Sequence, residues 1–313
     1  RVNTQGSAPC ARCDHVSWVH GNRLFIQGGE SGGGGGLADT GGGAASSTTR
    51  SQTGASSASG VGGGTASTTT ALLAEDGRRR VLLDDLFELN TETFTWTQVH
   101  TRLAPLPRKG HSATVLDMVV AAEGVGPTVV LFGGVSSGLG EPLNEVVTLD
   151  LGTLGSWRSM WMKVELEGAP PRARFGHSAT AISDHSLLVF AGATSSTTFL
   201  NDLHLLDLDK KQWQRVSARG LPPTPRRGHS TVLVPGRPPR RPPMLVIHGG
   251  VSVANSELVF PRDLFTFDLV HRQWSEVRTG YLFPAPRCGH TLVVVPPREG
   301  GDGGGGGGGG GGG

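Results

Sequence analysis

The chain alternates between apolar and polar positions in short segments that recur through most of its length. Asp85-Leu-Phe-Glu-Leu-Asn90 and Asp263-Leu-Phe-Thr-Phe-Asp268 both begin with an acidic residue and alternate with a period of two. Segments that begin at Glu145 and Asp202 follow the same pattern. A period of two is typical of a half-buried β-strand, because successive side chains point to opposite faces of a sheet. The pattern therefore predicts an all-β protein.

Three other elements recur in a fixed order around these strands. A head motif, in which histidine follows arginine by three positions, has five copies: Arg12-Cys-Asp-His15, Arg108-Lys-Gly-His111, Arg174-Phe-Gly-His177, Arg226-Arg-Gly-His229 and Arg287-Cys-Gly-His290. Four copies precede a short apolar run that ends in glycine, at Gly29, Gly134, Gly192 and Gly250. Each unit closes with a tryptophan: Trp96, Trp161, Trp213 and Trp274. Trp161 follows Asp150 by eleven residues instead of six, so the second unit has an insertion and Trp157 is an extra tryptophan.

These elements resemble the kelch repeat, in the variant that begins with Arg-x-Gly-His. The resemblance implies a β-propeller, in which four-stranded blades stack around an axis and bury one another's faces. It departs from the family where the third strand lacks its usual tyrosine. The predicted blade units are residues 12–99, 108–164, 174–216 and 226–277, with the first strand of a fifth blade at 287–295. Propellers usually need more than four blades, so we predict an incomplete ring.

Low-complexity sequence interrupts and ends this repeat domain, which we assign to residues 1–299. Glycine accounts for 50 of the 313 residues and is concentrated in two tracts. The first, a Gly/Ser/Thr-rich insertion at about 31–77, is predicted to be disordered, and the second is a poly-glycine tail at 300–313.

Composition gives further expectations about compartment and partners. No apolar stretch is long enough for a membrane-spanning helix, and the three cysteines are too few for a disulfide scaffold, so we expect a soluble protein of the cytoplasm or nucleus. The net charge of +2 gives no general electrostatic case for binding nucleic acid or an anionic membrane.

We predict no catalytic residue, cofactor or metal site. The five head-motif histidines could form a ring of metal ligands, but residues repeated once per blade point to different places, so a structural role is favoured. Cys10-Ala-Arg-Cys13 with His15 and His20 offers four crowded zinc ligands, whereas structural zinc sites generally take a second pair from further along the chain. A copper site of the galactose-oxidase type needs two tyrosines, and the chain has only Tyr281. The iron motif of plant specifier propellers is also missing.

The sequence therefore favours a non-catalytic module that binds another protein, as an adaptor, a scaffold or a substrate-recognition propeller. The alternative is the non-catalytic kelch half of a larger enzyme, such as a tRNA-wybutosine-type methyltransferase or a kelch phosphatase. Strand parity predicts that the links between blades open on the same side as the long loops. The candidate partner-binding residues on these links are His100, Arg102, Arg219, Arg278, Tyr281 and Phe283. The Arg/Pro loop at 236–243, on the other side, is a competing site. It contains a P-x-x-P motif of the kind that SH3 domains bind, but a solvated linker is the favoured interpretation because such matches are frequent by chance.

Overall fold

The computed structural model describes residues 2–32, 70–73, 79–121, 124–136, 141–237, 239–278, 280 and 284–295. In these ranges the regular elements are β-strands together with one short 3₁₀ helix, which confirms the all-β prediction. The strands form four blades and one separate hairpin.

The first blade contains the longest strands. Its elements are β1 (Gln5–Gly6), β2 (Val16–His20), β3 (Arg23–Gly32), β4 (Thr70–Leu73), β5 (Arg79–Asn90) and β6 (Thr95–Gln98). The sheet order is β1-β6-β5-β3-β2, and β4 pairs with the first residues of β5. Part of the insertion predicted to be disordered is thus strand, because Ser31 and Gly32 extend β3 and residues 70–73 form β4. The remainder of that insertion and the poly-glycine tail lie outside the described residues.

The second and third blades repeat the four-stranded antiparallel order. The second consists of β7 (Ser112–Ala121), β8 (Gly124–Phe132), β9 (Val146–Asp150), the 3₁₀ helix η1 (Leu151–Thr153) and β10 (Trp161–Lys163). The third consists of β11 (Glu167–Gly168), β12 (Ser178–Ser183), β13 (Ser186–Ala193), β14 (Phe199–Asp207) and β15 (Gln212–Arg215).

The fourth blade adds a hairpin between its second and third strands. Its elements are β16 (Ser230–Val234), β17 (Met244–His248), β18 (Ser252–Ala254), β19 (Glu257–Val259), β20 (Leu264–Asp268) and β21 (Gln273–Glu276). Strands β18 and β19 pair with each other outside the blade sheet.

The link that precedes each blade runs parallel to the outer strand of that blade. Strand β1 pairs with β6 and β11 pairs with β15, both in parallel. In the other two blades the link makes a single parallel bridge, Arg102 to Met160 and Arg219 to Gln273. The links thus cover sheet edges that would otherwise expose unpaired backbone groups.

The hydrophobic core lies at the junctions between blades. Each of the three apolar clusters combines residues from two successive blades. The tryptophan of a blade packs against the preceding blade: the rings of Phe132 and Trp213 are 5.2 Å apart, and those of Phe190 and Trp274 are 5.1 Å apart. Burial of each sheet face thus depends on a neighbouring blade, as expected for a propeller.

The described blades form a row that is open at both ends. The first strands pack in the order β2, β7, β12, β16, and β16 has no comparable packing against β2 among the described residues. On the outward face of the fourth blade, Val246 and Leu264 are half-buried, whereas Leu188 and Leu203 at the same register of the third blade are buried. No closed ring is formed by these residues.

The predicted first strand of a fifth blade is not formed, although its head motif docks in the expected place. The N–H of Gly289 donates to the carbonyl of Gly228, and that of Gly250 to the carbonyl of Arg287, both at 2.8 Å. Residues 291–295 are described but belong to no strand. In the other blades the first strand pairs with the second strand of its own blade, and residues 291–295 have no such neighbour in the described ranges.

Candidate interaction surface

In each of the four blades the head-motif arginine forms an ion pair inside its own blade. Arg174 is completely buried, and its guanidinium donates to the carbonyl of Ala191 at 2.8 Å and to both carboxylate oxygens of Asp202 at 2.7 and 2.9 Å. The acceptors are the residue that begins the glycine pair and the acidic residue that begins the third strand. The same ion pair recurs in the other blades as Arg12–Asp85, Arg108–Glu145 and Arg226–Asp263. The recurring arginine therefore has a structural partner in every blade.

The head-motif histidines of the second, third and fourth blades connect each of these blades to the preceding one. The Nε2 atom lies 2.9 Å from the hydroxyl of a serine on the neighbouring first strand in two junctions, His177 with Ser112 and His229 with Ser178. At the first junction, Nε2 of His111 lies 2.7 Å from the side-chain oxygen of Gln27. Each of these histidines is buried between blades.

Burial keeps these histidines uncharged. It lowers the pKa of His177 and of His229 to about 3, with smaller contributions from the charges of Arg174 and Arg226. The Nδ1 atoms of both rings are buried without a hydrogen-bond partner in the described part of the chain, so a second proton would have no acceptor. The geometry favours the structural role over metal binding, and no three His, Cys, Asp or Glu side chains among the described residues are grouped to hold a metal ion.

The glycine pair lies where two blades come closest. Gly133 has a φ of +66°, and a Cβ there would lie 2.6 Å from the carbonyl oxygen of Arg174 and 2.9 Å from the ring of His177. The next residue, Gly134, donates its N–H to the same Arg174 carbonyl at 2.9 Å. In the third blade, Ala191 takes the first position of the pair with a φ of +58°. Glycine therefore suits these positions, because it adopts a positive φ readily and has no Cβ to collide with the next blade.

The residues predicted to bind a partner are exposed wherever the structure describes them. His100, Arg102, Arg219 and Arg278 all have exposed side chains on the links, whereas Tyr281 and Phe283 lie outside the described residues.

The assignment of these residues to one side by strand parity is wrong for two of them. Arg102 and Arg219 pair with Met160 and Gln273, which are at the start of each outer strand, beside the turn between the third and fourth strands. This is the side predicted to be opposite. The reason is that the link runs alongside the outer strand of the next blade before it reaches the head motif, so it spans both sides.

The competing Arg/Pro loop forms a tight turn. Arg237 and Arg241 form a backbone bridge, with the N–H of Arg237 2.7 Å from the carbonyl of Arg241. The guanidinium of Arg241 donates to the carbonyl of Pro235 at 3.0 Å. A closed turn differs from the extended polyproline II conformation that SH3 domains bind, so this geometry does not favour the P-x-x-P interpretation.

Cys10 and Cys13, near the N-terminus, are both exposed, and each makes a contact with a neighbouring residue of the first blade. The guanidinium of Arg12 donates to the sulfur of Cys10 at 3.4 Å, and the backbone of Cys13 bridges to Glu30. The third cysteine, Cys288, is also exposed.

The sequence pattern did not predict a cleft that lies beside the second blade. It has a volume of about 490 Å³, and its walls include Trp157, Met160, Met162 and the candidate residue Arg102. The insertion that supplies Trp157 was visible in the sequence as an irregular spacing, and this spacing was the available indication of the cleft.

Stacked four-stranded blades with a repeated Arg, His, Gly and Trp framework define a propeller-type repeat protein. The family model of the KLHDC2/KLHL20/DRC7 Kelch-repeats domain matches residues 61–299. The chain therefore belongs to the kelch-repeat family, as the sequence motifs predicted.

Relatives share this region within much longer proteins. The chain is 32% identical to Adagio protein 3 of Arabidopsis thaliana over 68% of the chain and 33% of that protein. It is 31% identical to Acyl-CoA-binding domain-containing protein 5 of Arabidopsis thaliana, over 68% of the chain and 31% of that protein. It is 27% identical to Host cell factor of Drosophila melanogaster, over 67% of the chain and 15% of that protein. The chain thus spans a third or less of these relatives.

A solved structure, titled "Structure of YjhT", has the same fold. It superposes with a TM-score of 0.54 at 12% identity, covering 85% of this chain and 70% of that chain. Among the described residues, no helix has the length and apolar character needed to cross a membrane.

Proposed function

We propose that this kelch domain is a non-catalytic protein-binding module that acts as an adaptor or as the substrate-recognition part of a larger assembly. The observation that supports this most directly is the use of the repeated polar residues. The buried head-motif arginines and histidines hydrogen-bond within or between blades, so the chemically reactive groups of the repeat are used in stabilising the fold. What varies between blades is the exposed links and turns, and variable loops on a rigid scaffold are common sites of binding.

The proposed interface uses the links. His100, Arg102, Arg219 and Arg278 are exposed there, and we include Tyr281 and Phe283 from the same stretches of sequence. Arginine and aromatic side chains are enriched among the residues that contribute most to protein–protein affinity. On the cysteine count alone, we place the module in the cytoplasm or nucleus.

Affinity capture tests this proposal. The immobilised chain is compared with two double variants, Arg219→Glu with Tyr281→Ala on two of the predicted links and Arg237→Glu with Arg240→Glu on the competing loop. We expect the first pair to abolish capture of protein partners and the second pair to preserve it, with circular dichroism and melting temperature unchanged in both. Loss of capture with the second pair alone would move the interface to the Arg/Pro loop. If the folded wild-type chain captured no protein, the proposed function would be wrong.

The alternative is that the domain is the non-catalytic part of a larger enzyme. One relative shows a kelch-like region within a much longer protein of another named activity: the Rho GTPase-activating protein gacHH of Dictyostelium discoideum is 30% identical over 130 residues, which are 8% of that protein. The two proposals differ in what is attached to the kelch domain, and both give it a binding role.

A further inference from the structure

The cleft that contains Trp157 lies between the second and third blades, at the turns from third to fourth strands. Its apolar lining includes Trp157, Met160 and Met162, and its basic lining includes Arg102, Lys163 and Lys211. A neighbouring cleft of about 580 Å³ also has Trp157 in its wall. The indole therefore stands between two concave surfaces, where one side chain can contact ligand groups in both.

The loop that presents Trp157 is held in place by local contacts. The Asp150 carboxylate accepts a hydrogen bond from the N–H of Gly152 at 2.8 Å, and the hydroxyls of Ser156 and Ser159 both donate to the carbonyl of Thr153 at 2.6 Å. Leu151, in the 3₁₀ helix, is buried in the core at the junction with the first blade. A held loop loses little conformational entropy when a ligand binds.

On this loop, Trp157 is unusually exposed for its size. Its exposed fraction is 75%, whereas the repeat tryptophans Trp161, Trp213 and Trp274 are buried. The guanidinium of Arg158 lies 5.2 Å from the ring centroid. A tryptophan can bury about 150–250 Å² in a contact, so a pre-positioned exposed indole is a strong anchor for a partner.

The methionines make the adjoining wall adaptable. Met162 has an exposed fraction of 47% and lies beside Met160 in the lining. Methionine is flexible and polarizable, and it accommodates side chains of different shapes on binding surfaces. This wall therefore suits an inserted apolar side chain.

The charges around the apolar wall are mostly positive and unneutralised. Arg102, Lys163 and Lys211 form no ion pair with any described residue. Two carboxylates, Asp150 and Glu165, also line the cleft, and Asp150 is already bonded to the backbone of the 3₁₀ helix. The surplus of cations is complementary to a negatively charged ligand.

We propose that this cleft docks an acidic segment of a partner protein, which inserts an apolar side chain beside Trp157 and the two methionines. The proposal rests on the proposed protein-binding function and specifies the chemistry of one binding site. A protein segment is favoured over single-stranded nucleic acid, because the lining of the cleft contains one aromatic side chain. Nucleic-acid sites use several stacking aromatics along a continuous basic groove.

The experiment measures fluorescence anisotropy with a short labelled peptide in which a phenylalanine is flanked by glutamates. Two matched peptides replace the phenylalanine by serine or the glutamates by lysines. We expect the first peptide to bind and both matched peptides to bind at least about tenfold more weakly. Trp157→Ala should weaken binding by about 30-fold and Lys163→Glu by about tenfold, with weaker binding at higher salt.

Matched controls distinguish the cleft from the rest of the surface. Leu221→Ala removes a side chain that is 85% exposed on another link, and Arg240→Glu reverses a charge on the Arg/Pro loop. Both variants should bind the peptide as the wild type does. The proposal is overturned if the folded wild type does not bind the acidic peptide, if Trp157→Ala leaves binding unchanged, or if an oligonucleotide binds at Trp157 and the peptide does not. The protein-binding function would still stand if the wild type captured partners in those cases.

Discussion

Arg174 and Asp202 form a two-point ion pair between the start of the third blade and the start of its third strand. Nη1 lies 2.7 Å from Oδ1, and Nη2 lies 2.9 Å from Oδ2. Burial alone would raise the pKa of Asp202, but hydrogen bonds from Arg174 and His204 hold it well below its ordinary value of 3.8. Because the guanidinium is completely buried, it depends on Asp202 to accept its hydrogen bonds and balance its charge.

The first prediction concerns removal of that guanidinium. Arg174→Met should reduce the free energy of unfolding by about 3–5 kcal/mol, because Asp202 and the Ala191 carbonyl lose a charged donor inside the blade. Urea denaturation measures the change. The double variant Arg174→Met with Asp202→Leu should recover part of the loss, since no carboxylate is then left unpaired. A single variant as stable as the wild type would contradict the structural role of the head motif.

The second prediction concerns acid. In the unfolded chain His177 and His229 take up protons as the pH falls below about 6.5, whereas in the fold their pKa is about 3. The unfolded state therefore binds more protons between these values, and stability falls with falling pH. Each histidine contributes up to about 1.4 kcal/mol per pH unit in that window and no pH dependence above it.

Denaturation at a series of pH values between 6.5 and 4.5 measures this slope. His229→Gln should reduce the slope by up to about 1.4 kcal/mol per pH unit, because one histidine then no longer takes up a proton on unfolding. An equal slope in wild type and His229→Gln would show that this histidine is protonated in the fold.

The third prediction compares two tryptophans. Trp213→Ala should destabilise the protein by about 3–5 kcal/mol, because the indole is buried in the junction beside Phe132. Trp157→Ala should change stability by less than about 0.5 kcal/mol, because that indole is exposed. Thermal melting of both variants tests the difference. Unchanged melting in Trp213→Ala together with lost partner binding would identify a recognition residue instead.

The fourth prediction concerns the open ends of the blade row. Val246 and Leu264 leave part of an apolar sheet face uncovered, so a chain of this sequence should associate as its concentration rises. Sedimentation velocity measures the association. Val246→Lys with Leu264→Lys should reduce it with little loss of melting temperature, whereas Leu203→Lys, in the buried third junction, should unfold the protein. A chain that stays monomeric at high concentration would contradict an uncovered face.

The sequence alone determined the blade framework. The strand alternation reflects local structure, and the glycine pairs and tryptophans each answer a packing requirement that occurs once in every blade. Their positions along the chain therefore predict where strands, close backbone contacts and blade junctions occur. The double glycine at Gly133 illustrates this, because any side chain there would collide with the next blade. Such requirements repeat with the unit and are therefore visible as a repeat.

Only the tertiary structure decided which surface residues come together. Arg102 follows the first blade in sequence but lies beside Trp157 in the second, because its link pairs with the outer strand of that blade. Strand parity could not predict this, since it takes no account of a link that runs alongside a strand before turning. The strand expected at 287–295 failed for a similar reason: a strand requires a hydrogen-bonding neighbour, and the alternation of a single segment cannot provide one.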